Sequence, residues 1–275
     1  MTLPARLAAA LCVGLFALGA CASDSAQVAL SPEPAKPEWT PLFNGKDLTG
    51  WTMKVKGYDL GQNPLDTVRV KDGCISMCYD QYKNFGGMFG HLFCNEKMPA
   101  HYRLRIEYRF TGKQTPGGPG WAHRNSGVMV LSEAPQSMRK DQDFPVSVEV
   151  QLLGGNATGE RSTLNMCSPG TNVVFGGKLY TPHTLNSKSR TCRGDDWVKA
   201  EIEVDHGKVS CHLDGDKGLE KVLEYQGCQL DPKDPDGKRL LDAGAAKMLS
   251  EGWFSLQSES HPVDFRKVEL KRFDK

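Results

Sequence analysis

Four segments of the chain set amides, carboxylates and imidazoles at alternate positions. "NSGVMVL" puts Asn125, Gly127 and Met129 on one side, with Val128 and Val130 on the other. "SVEVQLL" sets Glu149 and Gln151 against Val148, Val150 and Leu152. In "KVSCHLDG", Ser210, His212 and Asp214 oppose Val209, Cys211 and Leu213; in "FSLQSESH", Ser255, Gln257 and Glu259 oppose Phe254, Leu256 and Ser258. A period of two with one apolar side marks a strand wetted on one face. For any single member, a solvated sheet exterior is the ordinary explanation. The set is less ordinary, because Asn, Gln, Glu and His are planar donors and acceptors, whereas a merely wetted face favours Lys, Thr and Glu. The four outward faces are therefore expected to converge on one groove, with Glu149 at its floor and His212 beside it.

Loops add to this set. "GWAHRNSG" carries His123 and Arg124 to the mouth of the strand that begins at Asn125. "LYTPHTLNS" brings Tyr180 and His183, and His261 closes the strand carrying Gln257 and Glu259. Trp121, Tyr180 and Trp197 have rings suited to stacking on a pyranose, although aromatics at sheet edges more often serve packing.

Strands must position all of these. "HYRLRIEYRF" alternates Tyr102, Leu104, Ile106, Tyr108 and Phe110 against charged residues, and "WVKAEIEVD" and "VDFRKVELKRF" follow the same rule. "HGK", His206 to Lys208, has the composition of a hairpin turn. One short helix is expected, from Lys238 to Leu249. Many short strands and almost no helix imply an all-β, two-sheet antiparallel sandwich. The curved exterior of one sheet would supply a concave face.

The 275 residues carry 34 basic and 33 acidic side chains, a balance that argues against a nucleic-acid partner. At the N-terminus, Arg6 precedes an apolar run from Leu7 to Ala20, too short to span a bilayer comfortably. It ends in "LGAC", which has the form of a bacterial lipoprotein box with Cys21 as the acylated residue; cleavage after "ACA" is the alternative. Residues 1–21 are thus expected to be a signal peptide, 22–37 a Pro- and Ser-rich linker, and 38–275 the sandwich domain. Either reading exports the protein to the periplasm or cell surface, and in the lipoprotein reading the lipid on Cys21 is its membrane attachment. Seven cysteines follow Cys21 without any CxxC pair. In an oxidising compartment disulfides are the default, and Cys167–Cys192 and Cys211–Cys228 are the expected pairs.

"PLFNGKDLTGW" (Pro41 to Trp51), "RNSGVMV", "EVQLL", "CHLDG" and the closing "LQSESHPVDFRKVEL" occur in that order, and with them the chain resembles the 3-keto-disaccharide hydrolase family. The likeness covers Trp39 to Phe273. It implies a concanavalin-like jelly roll and action on glycosides whose sugar is oxidised to a ketone at carbon 3. Such a ketone acidifies the hydrogen on carbon 2. One base withdraws that hydrogen, the enolate expels the group on carbon 1, and water adds back. An ordinary retaining glycosidase needs two carboxylates about 5 Å apart, whereas two residues beyond Glu149 stands only Gln151. The resemblance thus suggests Glu149, His212 or His261 as base and Arg124 as enolate stabiliser. A divalent metal held by Glu149 and His212 is the further expectation for the oxyanion. Asn125, Gln151, His123, Tyr180, His183, Gln257 and Glu259 would bind the carbohydrate. The insertion from Gly159 to Gly194 is expected to cover the groove. The alternative function is a non-catalytic, lectin-like glycan-binding module of the cell envelope.

Overall fold

The computed structural model describes residues 38–273. The expected signal peptide, the lipidation residue Cys21 and the linker therefore lie outside the described residues. The rest is a sandwich of two antiparallel sheets, one of ten strands and one of seven, with one α-helix.

Alternation explains both layers. Along His101–Phe110, Tyr102, Leu104, Ile106, Tyr108 and Phe110 enter the core, and Arg103, Arg105 and Arg109 face outward. This strand lies between Val198–Asp205 and Val263–Arg272 in the ten-stranded sheet. Its outer face is a lattice of charge pairs. Arg105 reaches Glu201 at 2.9 Å and Glu269 at 3.3 Å, and Arg103 pairs with Glu203. Trp197 lies here as well, between the guanidinium groups of Arg109 and Arg266. Its ring is thereby committed to cations, far from any sugar-stacking role.

The seven-stranded sheet runs Thr184–Leu185, Asn165–Cys167, Val148–Leu153, Asn125–Ser132, Trp253–Ser258, Gly90–Cys94 and Trp51–Val55. Val128, Val130, Val148, Val150, Leu256 and Phe254 pack inward against the other sheet. The insertion differs from the expected cover. Asn165–Cys167 and Thr184–Leu185 extend the seven-stranded sheet, while Thr171–Phe175 and Lys178–Tyr180 extend the ten-stranded one. It wraps the sandwich edge and contributes floor and wall.

The helix also departs from expectation, spanning Pro235–Asp242. Asp234 caps it by accepting from the amides of Asp236 and Gly237, each at 2.9 Å, and Pro235 occupies the first turn. Gly244, at φ +88°, takes the left-handed conformation and stops it. All seven described cysteines are free thiols, so neither expected bridge forms. Cys167 faces outward into a cavity while Cys192 is packed in the core, with the sheet between them. Cys211 pairs in register with Leu223, five positions short of Cys228 (228 − 223 = 5).

Candidate active site

Strand register assembles the site. One outward row crosses the seven-stranded sheet through Ser255, Met129, Glu149, Cys167 and Thr184. The next runs through Lys54, His91 and Gln257, passes Gly127, and continues through Gln151 and Asn165. Glu149 therefore faces away from the core, as its parity requires, yet only 6% of it is exposed. Loops on either side account for this. A cavity of about 350 Å³ stands over the residue, walled by Trp121, Phe144, Pro169 and His183 and floored by Asn125, Glu149, Gln151 and Glu259.

Gly127 decides where the Glu149 carboxylate lies. A Cβ at Gly127 would stand 2.3 Å from Glu149 Oε1, so the carboxylate rests on bare backbone between Gln151 and Gln257. No hydrogen-bond partner reaches Oε1. An ionised carboxylate in that setting lacks compensation for lost water. Burial accordingly pushes the Glu149 pKa up to about 8.

Glu259 is the second carboxyl. It follows the end of Trp253–Ser258, is 2% exposed, and leaves Oε2 unpartnered. Burial raises its pKa well above the ordinary value; the charge of Glu149 raises it further, and Arg161 opposes. Two such groups in one cavity lose their protons one at a time. Tyr79 fixes the chain around Glu259, sharing a 2.8 Å hydroxyl contact with Ser258 and accepting the Ser260 amide at 2.9 Å. Ser260 sits at φ +79°, an unusual conformation for a residue with a side chain. Glu149 thus has a partner carboxyl after all, supplied across the sheet rather than two positions along its own strand.

The remaining sequence-derived residues divide. Asn125, Gln151, His183 and Glu259 join Glu149 in the lining, and Gln257 is next along the row. His261 is buried just beyond, packed edge-on against Phe110 and His123, with both ring nitrogens unpartnered. Burial, then the neighbouring His123, holds its pKa down to about 4. Burial also lowers the His123 pKa.

Three expectations are corrected. His212 does point outward, but from the ten-stranded sheet, between Glu201 and Lys221, on the far side of the core from Glu149. Arg124 is spent at the rim, donating to Gly194 O at 2.6 Å and Asp195 at 2.7 Å. The Tyr180 hydroxyl donates to Thr184 O at 2.8 Å, and its ring lies outside the lining. With Glu149 and His212 in different sheets, the residues do not fit the divalent metal expected between them. Among the described residues no group of three or more His, Cys, Asp or Glu is placed to hold an ion.

Arg161, His91 and Phe144 are additions that alternation alone does not reveal. Arg161 comes from the irregular start of the insertion. It donates to His123 O at 2.6 Å, Gly154 O at 2.9 Å and Trp121 O at 3.2 Å. It clamps the turn that carries Trp121 and places positive charge within reach of Glu259. The assembled chemistry is two high-pKa carboxyls surrounded by neutral amides, with a cation behind one of them. Such a site can remove a proton at one point and return one nearby.

The family model of the 3-keto-alpha-glucoside-1,2-lyase-like domain matches residues 38–271. A search among curated proteins finds no match. Among solved structures, a candidate glycosyl hydrolase from Parabacteroides distasonis is 19% identical with a TM-score of 0.49, covering 86% of this chain and 94% of its own. The VIP36 exoplasmic/lumenal domain, in a form bound to Ca2+ and Man3GlcNAc, is 9% identical with a TM-score of 0.50, covering 87% and 91%. At 9% identity the likeness to the VIP36 domain speaks for the sandwich fold alone.

Proposed function

From the premise that this chain belongs to the family of 3-keto-alpha-glucoside-1,2-lyase-like domains, we propose that it cleaves the glycosidic bond of 3-keto-glycosides by elimination across carbons 1 and 2, followed by hydration. The observation that carries this is the pair of buried carboxyls, Glu149 and Glu259, each with an unpartnered oxygen in or beside one cavity. Ionised Glu149 takes the proton from carbon 2, and electrons pass to the carbon 3 oxygen as an enolate. The Asn125 and Gln151 amides are the neutral donors for that oxygen. The enolate collapses, the carbon 1–oxygen bond breaks, and protonated Glu259 donates to the leaving oxygen. Water then adds its hydroxyl to carbon 1 and a proton to carbon 2, completing net hydrolysis. A base with a pKa near 8 is strong enough to make the first step efficient while still ionising close to neutral pH. The lipoprotein box ending in Cys21 supports an exported, lipid-anchored enzyme.

The carboxyl pair also favours a second reading, an ordinary two-carboxylate glycosidase. Incubation with a 3-keto-disaccharide and with its unoxidised parent separates the two. Free sugar released only from the keto substrate, with deuterium from heavy water appearing at carbon 2, is the expected result. Cleavage of the unoxidised sugar without deuterium incorporation would support the glycosidase instead. Retained glycan affinity with no cleavage of either would leave a lectin-like module.

A further inference from the structure

The floor of the cavity carries one group that the elimination and hydration leave idle. Cys167 stands opposite Glu149 in the ladder between Val148–Leu153 and Asn165–Cys167, on the same outward row, and it lines the cavity. Facing partners on neighbouring strands lie roughly 5 Å apart at their Cα atoms, so sulfur and carboxyl meet the same ligand. Of the seven described cysteines it is the only one in that lining. Cys74, Cys94, Cys192, Cys211 and Cys228 are buried elsewhere, and the half-buried Cys78 lines a separate cavity of about 480 Å³ with Arg69 and Asp264. A thiol alone specifies no ligand. Here Asn125, Glu149 and Glu259, which are 2%, 6% and 2% exposed, share the lining and leave Oδ1, Oε1 and Oε2 unpartnered. Those atoms call for a polar occupant held against the sulfur. Burial, then the charges of Glu149 and Glu259, push the Cys167 thiol above its ordinary range, so the resting sulfur keeps its proton and needs a base to react.

Resting on the lyase reading, we infer that Cys167 captures the product of the elimination, its sulfur adding to carbon 1 as a reversible thioglycoside. Elimination leaves a double bond between carbons 1 and 2, conjugated with the ketone at carbon 3. Such an enone is attacked by soft nucleophiles at carbon 1. At that moment the carboxyls have exchanged states: Glu149 holds the proton from carbon 2, and Glu259 has given its own to the departing group. Glu259 takes the thiol proton as the sulfur–carbon 1 bond forms. The electron pair of the double bond moves toward the ketone, and Glu149 returns its proton to carbon 2. Bonds and protons balance, and both carboxyls regain their starting states without any oxidant or second substrate. The reverse sequence re-forms the enone, to which water then adds. An adjacent base is the ordinary means of activating a protonated thiol, and the buried Glu259 carboxylate is a strong one.

The test traps the adduct. The parent protein is incubated with a 3-keto-disaccharide and quenched with borohydride, which reduces the ketone and so removes the acidity that would expel the sulfur. Intact mass and peptide mapping then locate the label. The parent is expected to carry a hexose-derived label on Cys167 about tenfold above that on Cys78, the advantage of a positioned thiol over a merely accessible one. Cys167→Ser and Cys167→Ala, with thermal melts to verify folding, are expected to lose it. Sugar release with Cys167 unlabelled or labelled no more than Cys78, or a label undiminished in both variants, would overturn the capture and leave the lyase reading intact. If no sugar is released, the 2-hydroxy-3-keto glycal itself is added to the parent. Selective labelling of Cys167 would then support the nucleophile while the lyase reading falls, and unselective or absent labelling would overturn both. Should neither variant fold, the peptide map of the parent decides between the same outcomes.

Discussion

Glu149 holds its proton long past the point at which an exposed carboxyl would release it, because burial disfavours the charge and no partner offsets the loss of water. Two measurable consequences follow from that one fact. Folding raises its pKa from the ordinary 4.5 to about 8, so the folded state binds the proton more tightly than the unfolded chain. The resulting stabilisation is complete below about pH 4.5 and is lost as pH rises through about 8. Glu149→Gln cannot ionise, so its melting temperature is expected to fall less than the parent's between about pH 5 and about pH 9. The same variant is expected to lose about a thousandfold in turnover of a 3-keto-disaccharide, within the usual range for removing a general base. In the parent, kcat/KM should rise with pH toward about 8 as Glu149 ionises. It should fall again once the neighbouring acid Glu259 also loses its proton. A Glu149→Gln protein with parental turnover would remove Glu149 from the chemistry.

At the scale of the strand, the important residue is one without a side chain. Gly127 lies in an extended segment between Val148–Leu153 and Trp253–Ser258, where the backbone accepts any L residue. Alanine there places a methyl 2.3 Å from Glu149 Oε1 and 2.8 Å from its Cγ and Cδ. The Glu side chain has room to yield by rotating, so the cost falls on position rather than on folding. Gly127→Ala is expected to keep the parent's melting temperature within a few degrees, since glycine is already a poor strand former. Its kcat should drop by about a hundredfold, the scale of a displaced catalytic group. Parallel melts and turnover measurements distinguish this from simple unfolding. A variant with full activity would mean that the carboxylate does not work from above Gly127.

Over the whole molecule, what a sequence shows depends on how local the determinant is. Parity is local, and the alternation around Asn125, Glu149, Gln257 and even His212 correctly gave the outward direction. Which sheet a strand joins is settled by long-range pairing, and alternation carries no trace of it; His212 therefore went to the wrong layer. Glu259 looked like a minor binding group because its partner Glu149 is 110 residues away (259 − 149 = 110). Arg161 and Phe144 come from irregular segments with no period to read. The helix limits were legible only through Asp234, Pro235 and Gly244. The two-layer plan then yields a last expectation, because it separates the chemistry from the charge lattice. Arg105 pairs with Glu201, whose side chain is 3% exposed, and with Glu269, and it stacks on Trp39 at 4.0 Å. Arg105→Ala leaves Glu201 with only Arg103 at 3.5 Å and should cost about 2 kcal/mol, from a mostly buried charge losing its better partner. In a domain of this size that lowers Tm by about 4–8 °C. His212→Ala, on the same face, should change stability little. Both variants should retain parental kcat, because the entire core lies between them and Glu149. A fall in kcat for His212→Ala, with melting unchanged, would contradict the separation on which the site assignment stands.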